Sequence, residues 1–151
     1  MKSEPSPLGA HLSYWLRHVS NQVSYALGRK LEVEGVTVAE WALVRELFDC
    51  EPVAPGRLAD RLGLTDGAIS KLAHRLGGKG LVTREVDPHD GRAHRLALSN
   101  DGRAMVPRLA DVVDESDLEF FGHLQPETRA EIREVLQDIA DRRGLRASAN
   151  D

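Results

Sequence analysis

One cysteine in 151 residues, no long apolar run and no surplus of positive charge set the first limits on this chain. Cys50 alone cannot close an internal disulfide, which suits a reducing compartment. No stretch reaches the ~20 apolar residues needed to span a bilayer. The opening MKSEPSP is short and polar and lacks the apolar core of a secretory signal. A cytoplasmic location without a membrane partner is therefore expected. Internal repeats and low-complexity segments are absent, so one ordinary domain, or a small module with an accessory element, is expected. Catalytic signatures are missing too. Gly77-Gly78-Lys79-Gly80 lacks Walker spacing, and Lys79 is not followed by Ser or Thr. Nothing local suggests a Ser-His-Asp or Cys-His arrangement. Asp87, His89, Asp90 and His94 have no compelling metal-ligand spacing, and turn chemistry accounts for the aspartates. No enzyme, no catalytic residue, no metal and no cofactor are expected.

What is present is a globular composition, 41% hydrophobic and 29% charged, with an uneven distribution of charge. The net charge of −4 conceals a basic centre. Residues 57–108 hold 10 basic and 6 acidic residues, a local +4, whereas the first third carries −2 and the last third −6. A basic region can steer toward phosphate even on an acidic protein.

Apolar periodicity divides the rest into helices. Leu8, Leu12, Trp15, Leu16, Val19, Val23, Ala26 and Leu27 form one stripe, which predicts a first helix from Leu8 to Lys30. Gly35 breaks the chain. Thr37-Val38-Ala39-Glu40 is a capping-box pattern opening a second helix whose apolar face is Trp41, Val44, Leu47 and Phe48. After Asp49-Cys50-Glu51-Pro52, a third helix is expected from about Ala54, with Pro55 tolerated in its first turn and Gly63 ending it. Thr65 caps a fourth, which buries Ile69, Leu72 and Leu76, and Gly77, Gly78 and Gly80 are expected to stop it. Leu81–Val86 and Ala93–Leu98 alternate as strands around a six-residue tip, with Leu96 and Leu98 inward and Arg95 and Ala97 outward. Ser99 caps a long fifth helix reaching Leu124, which Pro107 should kink or divide. Pro126 opens a sixth, striped by Ile132, Val135, Leu136, Ile139 and Ala140. The tail from Ala147 is expected to fray.

Helix, glycine turn, helix and charged hairpin, in that order over Pro55–Ser99, make a winged helix-turn-helix, whose second helix fits the DNA major groove. The chain resembles the MarR family of bacterial and archaeal transcriptional regulators over nearly its whole length beyond the leader. Gly63-Leu64, Leu76, Gly80-Leu81-Val82, Asp90-Gly91-Arg92, Leu98-Ser99 and Gly102 carry the resemblance. It implies a mainly α (α+β) fold: a winged module at 37–98, an N-terminal dimerisation helix at 1–36 and C-terminal dimerisation helices at 99–151. Two copies would interlock through the first, fifth and sixth helices, an isologous arrangement. The alternative is an intramolecular bundle that satisfies the same stripes from within. The chain departs from many relatives in having Asp66 and Gly67 where a basic residue is common, and Gly77-Gly78 in place of charged residues, which would shorten the helix. Asp66 can accept from a cytosine amino group, or simply favour the positive helix end.

If the fourth helix faces DNA, its outer side presents Ala68, Ser70, Lys71, His74 and Arg75. Ser70 and Lys71 are the candidates for base edges; His74 and Arg75 reach bases or phosphates. At the wing tip, Arg92 resembles the family's minor-groove residue, with Asp90 holding it in place, and Arg95 and Arg84 add phosphate contacts. The resemblance also implies a site for a small anionic or phenolic effector, and Tyr14, Trp15, His18, Trp41 and Arg45 are placed to line it. Trp15 and Trp41 lie equally well on core stripes. Cys50, at the end of the second helix beside Asp49 and Glu51, is read as incidental rather than redox-active. The resulting expectation is a homodimeric repressor on a pseudo-palindromic operator in double-stranded DNA. Its alternatives are an effector-independent architectural binder and a small-molecule-binding dimer.

Overall fold

A computed structural model describes residues 3–144. Met1 and Lys2 of the leader and the tail expected to fray lie outside the described residues. The order of elements is a 3-10 turn Leu8–Ala10, α1 Leu12–Val33, α2 Val38–Cys50, α3 Pro55–Leu62, α4 Asp66–Gly78, β1 Val82–Asp87, β2 Asp90–Leu98, α5 Asn100–Phe121 and α6 Pro126–Arg142.

The capping signals hold. Thr37 Oγ1 accepts from Glu40 N and Glu40 Oε1 from Thr37 N, both at 3.1 Å, completing the box at α2. Thr65 Oγ1 accepts from Ala68 N at 3.1 Å and Ser99 Oγ from Gly102 N at 3.0 Å, starting α4 and α5. Each side-chain oxygen satisfies a donor that has no partner inside its helix.

Element ends differ from the expected ones for local reasons. The N-terminal helix is not continuous from Leu8, because His11 is extended and separates the 3-10 turn from α1. Trp15 Nε1 donates to Gly9 O at 2.9 Å and holds the turn against the helix. α1 also runs past Lys30, to Val33. α4 does not stop at Gly77-Gly78 but runs through both. It ends at Gly78, and beyond it the φ of 73° at Gly80 allows Leu81 N to reach Leu76 O at 2.9 Å, with Gly80 N reaching Gly77 O at 3.1 Å. The strands extend to the tip and leave only Pro88 and His89 between them. Asp87 Oδ1 accepts from His89 N at 2.8 Å and Asp90 Oδ1 from Arg92 N at 3.0 Å, so side chains close the turn. α5 passes through Pro107 undivided and ends at Phe121, before Leu124; buried Val106 and Leu109 flank the proline and hold the helix by tertiary packing.

β1 and β2 pair antiparallel, Val82 opposite Leu98 and Arg84 opposite Leu96, with an irregularity at Val86/Asp87. Alternation fails at the root of β2: Leu96 and Leu98 are buried as expected, but so is Ala97. The root packs against α2, α3 and α5, so neither face is left to solvent there. A further edge joins β2 unannounced by the sequence. Val53 N donates to Leu96 O at 3.0 Å and Leu96 N to Val53 O at 2.8 Å.

One core serves the winged module, drawing Leu43, Val44 and Leu47 from α2, Leu58 from α3, and Ile69, Leu72 and Leu76 from α4. Leu81, Val82, Leu96 and Leu98 join from the wing, and Val106 and Leu109 from α5. α1 contributes only Leu31 to its fully buried part. Two ion pairs tie the α1 end to α5, Lys30–Glu119 at 2.6 Å and Glu34–Arg108 at 2.8 Å. Of the N-terminal stripe, Leu8, Leu12, Trp15, Leu16 and Val19 are exposed and Val23, Ala26 and Leu27 half-buried, and Leu118 of α5 and Ile132, Val135, Leu136 and Ile139 of α6 are exposed too. A groove of about 630 Å³ between α5 and α6, lined by Leu118, Phe121, Ile132 and Leu136 among others, stands open. Among the described residues these stripes are left largely uncovered.

Candidate nucleic-acid interface

α4 is built to present one face. Ile69, Leu72, Ala73 and Leu76 are buried against the core, and Asp66, Ser70, Lys71, His74 and Arg75 are exposed on the opposite side. Ala68, expected on that outer side, is half-buried. Because Thr65 takes the capping duty, the Asp66 carboxylate has no partner among the described residues.

The commitments of the cations sort them further. Between Arg57 and Arg108 there are ten basic residues. Arg61 pairs with Glu46 at 2.9 Å, Lys79 with Glu40 at 2.8 Å and Arg108 with Glu34 at 2.8 Å, while Arg103 pairs with Glu51. Arg75 is only loosely held, 3.8 Å from Glu40. The side chains of Arg57, Lys71, Arg84, Arg92 and Arg95 make no ion pair or hydrogen bond among the described residues. These are charges the fold does not consume.

On the wing, Arg92 is exposed near the tip, and Asp90 holds its backbone N–H rather than its guanidinium. Arg84 is exposed on β1. Arg95 is half-buried, opposite Glu85 in the register, and its Nε lacks a hydrogen-bond partner among the described residues.

Behind α4 lies a buried anchor that sequence reasoning missed. Lys79 Nζ donates to both Glu40 oxygens, at 3.0 and 2.8 Å, and to Gly35 O at 2.8 Å. Glu40 is 1% exposed. Burial opposes its ionisation, but the Lys79 and Thr37 hydrogen bonds and the Lys79 charge outweigh that and hold its carboxyl below the ordinary value. The end of α4 is thereby bolted to the start of α2.

The residues expected to line an effector site divide into two groups. Tyr14, Trp15 and His18 cluster on α1, with Tyr14 edge-on to Trp15 at 5.1 Å and stacked on His18 at 6.0 Å. Tyr14 and His18, with Leu8, His11 and Arg17, line a cavity of about 330 Å³. Trp41 packs on the core, and Arg45 pairs with Asp49 at 2.7 Å; neither lines that cavity. Cys50 donates from Sγ to Glu46 O at 3.1 Å, and burial, then Glu46 and Asp49, push its thiol pKa up against the pull of Arg61 and Arg57.

A family model described as the MarR family matches residues 34–93. The HTH-type transcriptional repressor Rv2887 of Mycobacterium tuberculosis is 25% identical over 130 residues, covering 86% of this chain and 94% of its own. The fold matches a MarR-family transcriptional regulator from Rhodococcus sp. RHA1, with TM-score 0.83 and 25% identity over 90% of this chain and 98% of that one. Over residues 34–93 the chain is similar to the MarR family. CouR from Rhodococcus jostii RHA1, solved bound to p-coumaroyl-CoA, is also similar, at 26% identity and TM-score 0.81 over 90% of this chain and 96% of that one. Relatives and fold alike are those of transcriptional regulators, not enzymes.

The Asp66-Gly67 start of α4 and the Gly77-Gly78 end are both helical, so the departures change side chains without shortening the helix. Besides Lys79, the sequence reading passed over Arg57, which is exposed on α3 and unpaired, and the cluster around Glu51. Arg57 could have been found from its place two residues behind Pro55 on the first helix of the motif. No local signal marks the others.

Proposed function

We propose that the protein is a homodimeric repressor that binds a pseudo-palindromic operator in double-stranded DNA. Two α4 helices enter successive major grooves about 34 Å apart, and the wings lie in the flanking minor grooves. The observation that carries this reading is the division of the cations. Arg61, Lys79, Arg103 and Arg108 are consumed by the fold, while Lys71 on α4 and Arg84, Arg92 and Arg95 on the wing are not. In this reading Ser70 and Lys71 meet base edges, His74 and Arg75 meet bases or phosphates, and Arg92 enters the minor groove. Arg84, Arg95 and Arg57 meet phosphates. An unsatisfied Arg95 Nε gains an acceptor on binding. Residues 37–98 act as the reading module and the flanking segments as the dimerisation region, joined through the exposed stripes of α1, α5 and α6.

A small aromatic anion acts as effector, releasing DNA by separating the reading heads. Support comes from the Tyr14-Trp15-His18 cluster and from CouR, a relative solved with p-coumaroyl-CoA. Trp41 and Arg45 join that site from α2 once α1 is seated in the dimer. The protein acts in the cytoplasm; no described helix is long and apolar enough to cross a membrane.

The test is a salt titration of affinity for DNA from the gene's own upstream region and for unrelated DNA. Counterion release by Arg57, Arg84, Arg92 and Arg95 of each protomer gives a log–log slope of about −7 per dimer, and about a 10⁴-fold loss between 50 and 200 mM salt. Tight, preferential binding with that slope supports the reading. Weak, equal and shallow binding to both DNAs refutes it.

A further inference from the structure

β2 is the strand that delivers Arg92, and its outer edge needs partners. Leu96 and Leu98 stand two apart, so their N–H groups point to the same edge, away from β1. Leu96 N is taken by the Val53 carbonyl at 2.8 Å. Leu98 N is taken by Oε2 of Glu51, so a carboxylate continues the ladder where backbone would otherwise be needed. The other oxygen of Glu51 accepts from Arg103 of α5. The Arg103 guanidinium lies over the Phe48 ring of α2 at 4.8 Å, and Arg45 approaches the same ring at 5.7 Å. The Glu51 side chain is 18% exposed, which makes both of its charge-assisted bonds count for more than surface ones. One carboxylate thus ties the wing root to α5 and, through Arg103, to α2.

We propose that Glu51 is a positioning residue for the wing: it touches no DNA and fixes the angle at which β2 carries Arg92 toward the minor groove. Without it, Leu98 N loses its partner, Arg103 loses its anion, and the Val53–Leu96 bridge is the one hydrogen-bonded tie left along that edge of β2 among the described residues. The same bond makes α5, a helix of the dimer in the reading above, a route by which movement there reaches the wing. This inference rests on that DNA-binding reading.

The test is a double-mutant cycle on duplexes enriched from a random pool by the wild-type dimer, presented with A·T-rich or G·C-rich flanks. Glu51→Ala and Arg92→Ala should each cost about tenfold on A·T-rich flanks, and the double variant no more than about twofold beyond either single one. Glu51→Gln keeps an acceptor for Leu98 N and should recover some of the affinity, with the flank preference. A purely structural role would lower the melting temperature without removing flank preference. If the two single losses multiply in the double variant, the positioning role is wrong. Should Glu51→Ala fail to fold, Arg103→Gln takes its place in the same cycle with the same criterion. Failure of the wild-type protein to enrich any duplex would overturn the DNA-binding reading itself, whereas enrichment followed by independent effects overturns only this inference.

Discussion

Gly102 gives the sharpest test of how the wing is joined to the helices behind it. It lies in the first turn of α5, where a methyl group would sit 2.1 Å from the Leu81 carbonyl oxygen and 3.0 Å from its carbonyl carbon. Carbon and oxygen approach to about 3.3 Å without a clash, so Gly102→Ala must push the α5 and Leu81 backbones apart by about 1 Å. Neither is free to yield. Leu81 O accepts from Ser99 N at 3.0 Å, and Leu81 N closes the end of α4 on Leu76 O at 2.9 Å. Overpacking of this kind costs about 1–3 kcal/mol, and a strained Ser99–Leu81 bond adds up to about 1 kcal/mol. The usual helical gain of alanine over glycine returns about 1 kcal/mol. The net loss is about 0–3 kcal/mol, which lowers the melting temperature by up to about 10 °C in a chain of this length. Thermal unfolding at one fixed protein concentration measures it, because the proposed dimerisation would make the midpoint concentration-dependent. Gly56→Ala is the control, since a methyl group there meets nothing within 4 Å. A Gly102→Ala variant that melts above the wild type would show that the close approach is not a constraint.

Three further outcomes are expected. Arg92→Ala should weaken binding across sequences and make the salt slope of the dimer shallower by about 2, as measured by affinity between 50 and 200 mM salt; an unchanged slope would reject Arg92 as a wing anchor. Lys79→Ala should cost about 1–2 kcal/mol near neutral pH, since it strips Glu40 of two bonds while burial remains. The folded-state pKa of Glu40 lies below its ordinary 4.5, so its stabilisation is present above that value and lost as pH falls through the folded one. The gap in melting temperature between wild type and Lys79→Ala should therefore close as the pH falls below 4.5 and through the lower folded-state value; a gap independent of pH would clear Glu40 of the effect. Leu136→Glu, on the exposed α6 stripe, should convert a dimer to a folded monomer by sedimentation, and an unaltered dimer would place the interface elsewhere.

Much of the fold was legible because its signals are local. Thr37, Thr65 and Ser99 each precede the N–H they cap by three residues, so sequence spacing alone locates three helix starts. Helix stops are less legible. Gly77 and Gly78 look like breakers, but a glycine in the last turn costs only about 1 kcal/mol, and the Lys79 bolt to Glu40 and Gly35 holds that turn. Pro107 does not divide α5, because Val106 and Leu109 are buried on either side of it. Alternation places Ala97 outward on the assumption of one wet face, and at the wing root there is none.

The candidate interface was legible in its geometry and illegible in its accounting. The 3.6 period is enough to place Ser70, Lys71, His74 and Arg75 opposite Ile69, Leu72 and Leu76. It cannot say which cations are already spent. Lys79 meets Glu40 across 39 residues and Arg103 meets Glu51 across 52, separations at which no sequence rule operates. In composition all ten bases of the central region are equivalent, and a net charge counts them equally. A base held by a buried carboxylate has exchanged its hydration for that partner and offers little to a phosphate, because moving it leaves an uncompensated anion behind. A base with no partner loses nothing by leaving water for DNA except side-chain entropy, and it releases a condensed counterion on arrival. The chemistry of the face is therefore decided by which of its cations a carboxylate already holds as much as by the arginines present.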